Sequence, residues 1–233
     1  MTKKNTVKEK NNLLLFLTKN LFLSFILLLC CCCENETKQN KNSLPYLGKP
    51  ELTEVVYKLV NGKEVSDTIY PTIPDFTFMT HDSVMISSKS MKGKIWIADF
   101  FFTSCTTICP LMTKNMKFLV SSTKAYAEHL KFLSFTINPN YDSPTVLRRY
   151  RNKHQIKSDN WLFLRGNETE THQLGIDNFL VYANRDENSV DGFAHSGAFT
   201  LVDKNGYVRG VYLGTDKKEV KRLLKDLRIL MKE

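Results

Sequence analysis

From Lys94 to Phe102 the chain reads Lys-Ile-Trp-Ile-Ala-Asp-Phe-Phe-Phe, a near-continuous apolar run. A run of this kind predicts a strand buried on both faces of a central sheet. After Pro110, the apolar residues Leu111, Met112, Met116, Leu119 and Val120 recur at helical spacing and predict a helix reaching to about His129. Lys131–Ile137 is a second buried strand. Strand, helix, strand is a βαβ unit, for which parallel strands and a right-handed crossover are the default. Downstream, Ser143 is placed to cap a helix with Pro144 at its first position, and that helix ends near Ile156. Trp161–Leu164 reads as a short strand, Glu168–Leu174 as a short helix and Phe179–Ala183 as an extended piece. Ser196–Val202 and Tyr207–Tyr212 flank the turn residues Asp203-Lys-Asn-Gly206 and form a hairpin. From Lys217 to Met231, the residues Val220, Leu223, Leu224, Leu227 and Leu230 make an apolar helical stripe.

A βαβ unit followed by a hairpin and a terminal helix is the element order of thioredoxin-like α/β folds. Here the fold carries an N-terminal β extension and an inserted segment ahead of the C-terminal hairpin and helix. The extension begins with Glu54–Val60 and Val65–Tyr70 on either side of Asn61-Gly62, a strong hairpin signal. Asp75–Met79 adds another extended piece, and the three together read as an antiparallel accessory layer. Residues 51–233 are therefore the folded domain, and the polar stretch 34–50 is a tether to whatever precedes it.

What precedes it is a targeting segment. Lysines early in residues 1–33 lead to Leu21-Phe-Leu-Ser-Phe-Ile-Leu-Leu-Leu29 and then to Cys30, Cys31, Cys32 and Cys33. A basic region followed by a short apolar region is the pattern of a secretory signal. A cysteine directly after it resembles a bacterial lipoprotein signal, with one of the four cysteines acylated. An uncleaved anchor would have to join Leu13–Leu17 to the later run and bury Lys19 and Asn20, at a cost of roughly a few kcal/mol. The lipoprotein, anchored and freely secreted forms all place the domain outside the cytoplasm.

Composition and charge narrow the partners. Hydrophobic residues make up 42% and charged residues 24%, which argues against both wholesale disorder and a multi-span membrane protein. The formal charge is +9, but residues 1–33 hold five Lys against the single acid Glu9, leaving 28 basic and 23 acidic residues in the remainder. That modest excess suits a solvated surface facing anionic lipid, and nucleic acid is not an expected partner.

The chemistry sits in Thr103-Ser-Cys-Thr-Thr-Ile-Cys-Pro110, between the buried strand and its helix. Pro110 as first helical residue would put Cys109 at the helix cap, where free N–H groups and the helix dipole favour a thiolate. Three residues between Cys105 and Cys109 is one more than in ordinary thioredoxin-type redox sites. Sulfurs at this spacing can share a metal ion or close a disulfide. Two thiolates leave a metal shell incomplete, and a histidine nitrogen is the natural completion. Of the five histidines, His81 sits in a loop, and His129, His154 and His172 fall on helices away from the motif. His195, in Gly192-Phe-Ala-His-Ser-Gly197, stands before the strand expected to run beside the cysteine loop; it is either a ligand or an ordinary loop histidine.

Taken together, Phe100–Met112 with its Cys-x-x-x-Cys-Pro element, Phe135-Thr-Ile-Asn-Pro-Asn-Tyr-Asp-Ser-Pro144, Leu147–Tyr150, Ala194-His-Ser196 and Leu201–Gly206 resemble the Sco/SenC family of copper proteins across about residues 71–233. The resemblance implies a membrane-tethered, thioredoxin-like protein that binds Cu(I) or Cu(II) through Cys105, Cys109 and His195. It also implies a metallochaperone role in assembling the dinuclear copper centre of cytochrome c oxidase, with a copper-accepting oxidase subunit as partner. In two places the chain departs from the family pattern: Asn138 precedes Pro139, and Ala194 precedes His195, where relatives usually carry Asp. Each change removes a carboxylate near the expected site, although Asp142 and Asp191 are close in sequence.

Other functions use the same sulfurs. Cys105 and Cys109 could serve a thiol–disulfide reductase acting on oxidase-subunit cysteines, and this role is compatible with copper handling. A general disulfide oxidase is disfavoured by the spacing and by the lack of any Pro after Pro144. Nothing in the sequence specifically supports a thioredoxin-fold peroxidase. A purely structural disulfide is the bland alternative in an exported protein.

Overall fold

The computed structural model describes residues 43–189 and 191–233. The expected signal or anchor, and most of the expected tether, lie outside them. No helix among the described residues is long and apolar enough to cross a membrane.

The central strand β5 (Ile95–Phe101) is buried at every position, because both of its faces are covered. It pairs in parallel with β6 (Leu130–Thr136), and β6 pairs in parallel with β7 (Trp161–Arg165). On the other side β10 (Ala198–Val202) lies antiparallel to β5 and is followed by β11 (Val208–Leu213). With β3 (Thr77–Thr80) and β4 (Met85–Ser87) the sheet has seven strands in the order β11-β10-β5-β6-β7-β3-β4. Helices α1 (Cys109–Ser122), α2 (Pro144–Lys153), α3 (Glu168–Asp177) and α4 (Lys217–Leu230) complete the thioredoxin-like arrangement. The five apolar positions expected to form the stripe of the last helix are all buried on α4. Ser143 caps α2, its side chain accepting the Val146 N–H, with Pro144 in the first turn.

Several expectations change. The helix after the cysteine motif stops at Ser122, and a 3₁₀ segment, Lys124–His129, broken at Tyr126, carries the chain into β6. Thr123 turns its hydroxyl back onto the Leu119 carbonyl, a local bond that competes with helix continuation. The accessory layer also divides. Strands β1 (Glu54–Val60) and β2 (Lys63–Ile69) form a separate hairpin turned by Asn61-Gly62, whereas β3 joins the main sheet through β7. The inserted segment, for which the sequence predicts only an extended piece at Phe179–Ala183, contains a small hairpin of its own, β8 (Ala183–Arg185) and β9 (Phe193–His195). The end of the expected tether lies against the domain: Leu47 bridges to Val208, and the buried Arg209 donates to the carbonyls of Leu44 and Pro45 while pairing with Asp203 at 2.9 Å.

One buried charge stands out in β5. Asp99 accepts the Ser134 hydroxyl at 2.5 Å, and Ser134 in turn accepts the Trp161 indole N–H at 2.9 Å. Burial raises its carboxyl to about 7, only partly offset by the Ser134 hydrogen bond and by His195. The unfolded chain titrates near 3.9, so between those values the native state holds a proton that the unfolded state has lost. Stability therefore falls as pH rises from about 4 to about 7, by an amount on the order of 4 kcal/mol, and stays lower above that.

Gly197 fixes the entry to β10. Its φ is +65°, and an added Cβ would lie 3.0 Å from Ile108 Cδ1, against the cysteine loop. Its carbonyl accepts the Gly214 N–H at 2.8 Å, and the buried Asn115 amide donates to the Gly214 carbonyl at 2.7 Å.

Two predictions follow from these positions. In denaturant titrations across pH 4–8, Asp99→Asn should lose the pH-dependent fall attributed to Asp99 and be the more stable protein at pH 8. Parallel curves for the two proteins would refute the assignment. Gly197→Ala should cost about 1–2 kcal/mol in the same assay, and an unchanged midpoint would show that the left-handed backbone there is not needed.

Candidate metal centre

The site is built where β5 ends and α1 begins. Residues 102–108 make the turn, and Cys109 is the first helical residue with Pro110 behind it. The helix has no side-chain oxygen cap at Ile108. Instead the Cys105 sulfur accepts the Cys109 N–H at 3.4 Å, so a thiol group satisfies one of the orphan donors of the first turn. Pro110 has no N–H to satisfy.

This geometry corrects the sequence reading of which sulfur carries charge. Cys105 is held well below the ordinary thiol range, first because the Cys109 thiol donates to it, then through His195, the Cys109 backbone N–H and the Thr107 hydroxyl, all working against burial. Cys109 is driven upward, because it is the donor in that same hydrogen bond and because it is only 1% exposed. Of the two, Cys105 is the sulfur whose surroundings favour the thiolate, and burial favours the thiol at Cys109. Both cysteines are free.

His195 arrives from the end of β9. Its Nε2 is 3.5 Å from the Cys109 sulfur, and its ring packs edge-on to Phe102 at 5.8 Å. Phe193, one register step earlier on the same side of the strand, packs on Phe102 at 5.0 Å and carries the Arg185 guanidinium on its other side at 5.1 Å. The donor atoms of Cys105, Cys109 and His195 all lie within 4.8 Å of one another. Sulfur and imidazole donors sit about 2.0–2.3 Å from an ion of the zinc type, so donors on opposite sides of one ion stand up to about 4.6 Å apart. The three residues stand close enough to hold a single soft or borderline metal after a small inward shift of their side chains.

The other histidines keep away, as expected from the sequence. His81 is buried beside Asp82, His172 bonds the Ile137 carbonyl at 2.9 Å, His154 ends α2 against Tyr150, and His129 closes the 3₁₀ segment.

The two nearby carboxylates do not replace those missing at Asn138 and Ala194. Asp142 is fully buried and accepts the Thr103 N–H at 3.1 Å together with the Thr103 and Thr136 hydroxyls. Asp191 accepts the Thr106 N–H and hydroxyl, each at 3.2 Å, and the Thr107 hydroxyl at 3.4 Å. Both hold the cysteine loop, and neither touches a donor atom. The His195 Nδ1 is buried and has no hydrogen-bond partner among the described residues. An imidazole that offers Nε2 to a metal ordinarily donates Nδ1–H to a carboxylate or carbonyl. That support is missing here. The loop-holding roles of Asp142 and Asp191, and the aromatic contact of Phe102 with Phe193, escaped the sequence reading. A hint was present in Thr106-Thr107 between the cysteines and an Asp four residues before His195, but only the fold shows that the loops meet.

Comparison with known proteins matches residues 66–232 to the SCO1/SenC family. The chain belongs to this family. A SCO1/SenC family lipoprotein from Bacillus anthracis has a solved structure that superposes with a TM-score of 0.63 at 32% identity, covering 69% of this chain and 95% of that one. BsSco, described as a member of the Sco family of cytochrome c oxidase assembly proteins, superposes with a TM-score of 0.60 at 30% identity, over 68% of this chain and 92% of its own. ScoI of Bradyrhizobium japonicum, solved with copper bound, shares the fold at a TM-score of 0.57 and 18% identity, over 69% of this chain and 99% of that one. Membership in the SCO1/SenC family agrees with the resemblance carried by the cysteine motif and the distant histidine, and the thioredoxin-like fold agrees with the element order.

Proposed function

We propose that this SCO1/SenC protein carries copper as cargo on Cys105, Cys109 and His195 and delivers it, from a membrane-tethered position outside the cytoplasm, to a subunit of cytochrome c oxidase during assembly of its dinuclear copper centre. The observation that carries the reading is the convergence of two free sulfurs and one imidazole nitrogen within 4.8 Å at the end of a rigid, buried strand. Two thiolates and an imidazole suit Cu(I) and Cu(II) and leave a position for an incoming ligand from the acceptor. Cys105 offers a ready thiolate, and Cys109 releases its proton when metal replaces it as the partner of the Cys105 sulfur. The unsupported His195 Nδ1 leaves the imidazole less firmly fixed than a metal ligand with a carboxylate behind it, which favours release over storage. The copper in the Bradyrhizobium relative and the lipoprotein description of the Bacillus anthracis relative support the cargo and the tether. The tether itself would come from residues 1–50, with one of Cys30 to Cys33 acylated or the apolar segment kept as an anchor.

A second reading rests on the inequality of the two thiols. A low-lying Cys105 beside a buried, protonated Cys109 is the arrangement of an attacking and a resolving cysteine, and it would let the protein reduce a disulfide on an oxidase subunit.

Copper titration of the reduced protein separates the two. One equivalent should bind, and Cys105→Ala, Cys109→Ala or His195→Ala should each weaken Cu(II) binding by more than about 100-fold, since loss of even an outer partner of a ligand costs 10–100-fold. Unchanged Cu(II) binding in His195→Ala would overturn the ligand assignment. No copper uptake, together with stoichiometric reduction of a partner disulfide, would decide for the reductase.

A further inference from the structure

We propose that Asp191 is a positioning residue that latches the histidine-bearing hairpin onto the cysteine loop and so sets the distance between His195 and the two sulfurs. This rests on the copper reading above only for its consequence, since the latch itself is a property of the metal-free protein.

The need for a latch comes from topology. His195 stands on the β8–β9 hairpin, which is a two-stranded sheet of its own and shares no ladder with the seven-stranded sheet that carries the cysteines. At its base the hairpin is closed by the Ser196 N–H, which donates to the Tyr182 carbonyl at 2.9 Å, and it is held to the domain by Phe193 against Phe102 and by the Arg185 guanidinium, which donates to Glu168 at the start of α3. Within its turn, the Asp186 N–H reaches the Gly192 carbonyl and the Ser189 hydroxyl reaches the Phe193 carbonyl, contacts that shape the turn without tying it to anything else. Among the described residues, the only side chain that bonds this turn to the cysteine loop is Asp191.

Its carboxylate is well matched to the task. One oxygen takes the Thr106 hydroxyl at 3.2 Å, while the other takes the Thr106 N–H at 3.2 Å and the Thr107 hydroxyl at 3.4 Å. Thr107 is also 3.6 Å from the Cys105 sulfur, so the chain of contacts runs from the turn beside His195 to a proposed ligand without passing through the metal position. The opposite end of the loop is fastened to the main sheet by the buried Asp142 on Thr103 and Thr136. Asp142 therefore fixes the loop to the sheet carrying β5 and β6, whereas Asp191 fixes the histidine arm to the loop. Hydrogen bonds to a charged acceptor are stronger than neutral ones, and the two from Thr106, one to each oxygen, restrain the carboxylate's orientation as well as its distance, while the single Thr107 proton lies between Asp191 and the Cys105 sulfur. Loss of the latch leaves the cysteine loop fastened to the sheet by Asp142 and loosens chiefly the arm that carries the imidazole. The effect should thus fall on Cu(II), which uses the nitrogen donor, more than on Cu(I), which two thiolates hold well.

The test compares wild-type protein with Asp191→Ala, Asp191→Asn, His195→Ala and the double variant Asp191→Ala/His195→Ala. In the metal-free reduced protein, amide exchange followed by NMR should show the Thr106 N–H protected, with protection lowered about tenfold or more in Asp191→Ala and an almost unchanged thermal midpoint. On titration with Cu(II), Asp191→Ala should lose about 10–100-fold in affinity and shift its thiolate-to-copper absorption band. Asp191→Asn retains an acceptor oxygen without the charge and should recover most of the affinity. In the His195→Ala background, adding Asp191→Ala should change nothing further, because the latch acts through the histidine. An unprotected Thr106 amide in wild type, wild-type Cu(II) affinity in Asp191→Ala, an Asn variant as weak as the Ala variant, or full additivity with His195→Ala would each overturn the proposal. If wild type takes up no copper, the copper reading fails, and the amide protection still decides whether the latch exists.

Discussion

The approach of the His195 imidazole to the Cys109 sulfur, 3.5 Å across 86 residues of sequence, is the contact on which the site depends. Neither partner can reach the other by local structure. Cys109 is carried by a strand buried along its whole length and by the helix that starts at the end of that strand. His195 is carried by a small hairpin held to the domain by the Phe193–Phe102 contact, by the Arg185–Glu168 ion pair and, at its tip, by Asp191 on Thr106. Close packing makes the first support stiff, whereas a two-stranded hairpin is marginal alone and takes its position from what it touches. The cysteines therefore define the place, and the histidine is brought to it.

Burial then divides the two sulfurs. The one nearer the surface, Cys105, is favoured as the thiolate by the Cys109 thiol and N–H, His195 and Thr107, whereas Cys109 has the Phe102 backbone and lies 3.5 Å from the His195 Nε2. Cys109, deeper in the core, keeps its proton. A pair with one thiolate and one thiol is ready either to accept a soft metal ion with release of a proton or to begin disulfide exchange. The same core contains Asp99, a carboxyl raised by desolvation. By contrast, the His195 Nδ1 has no hydrogen-bond partner among the described residues, and the residue before it in sequence is Ala194, which offers none. The acidic residues that remain nearby, Asp142 and Asp191, serve the loop rather than the ligands.

Much of this was legible in the sequence because its signals are local. The unbroken apolar run into Cys105 marked the buried strand, the 3.6-residue stripe marked α4, and Asn61-Gly62 marked the first hairpin turn. His195 could be singled out because it immediately precedes a recognisable strand. What escaped detection depends on long-range contacts. The β8–β9 hairpin has strands of only three residues, too short to show alternation, and its turn is mostly polar. Asp191 acquires meaning only when a loop 85 residues earlier folds beside it. The inversion of the thiols had the same origin: Pro110 placed the helix start one residue too late, and no sequence pattern reveals that the Cys105 sulfur acts as the cap.

Copper K-edge X-ray absorption on the loaded protein tests the central claim most directly, because it counts the donors around the ion. The proposed site predicts two sulfur scatterers and one imidazole in the Cu(II) form, with the imidazole signature absent in His195→Ala. A shell without sulfur, a shell with a single sulfur, or an imidazole signature that survives in His195→Ala would contradict it.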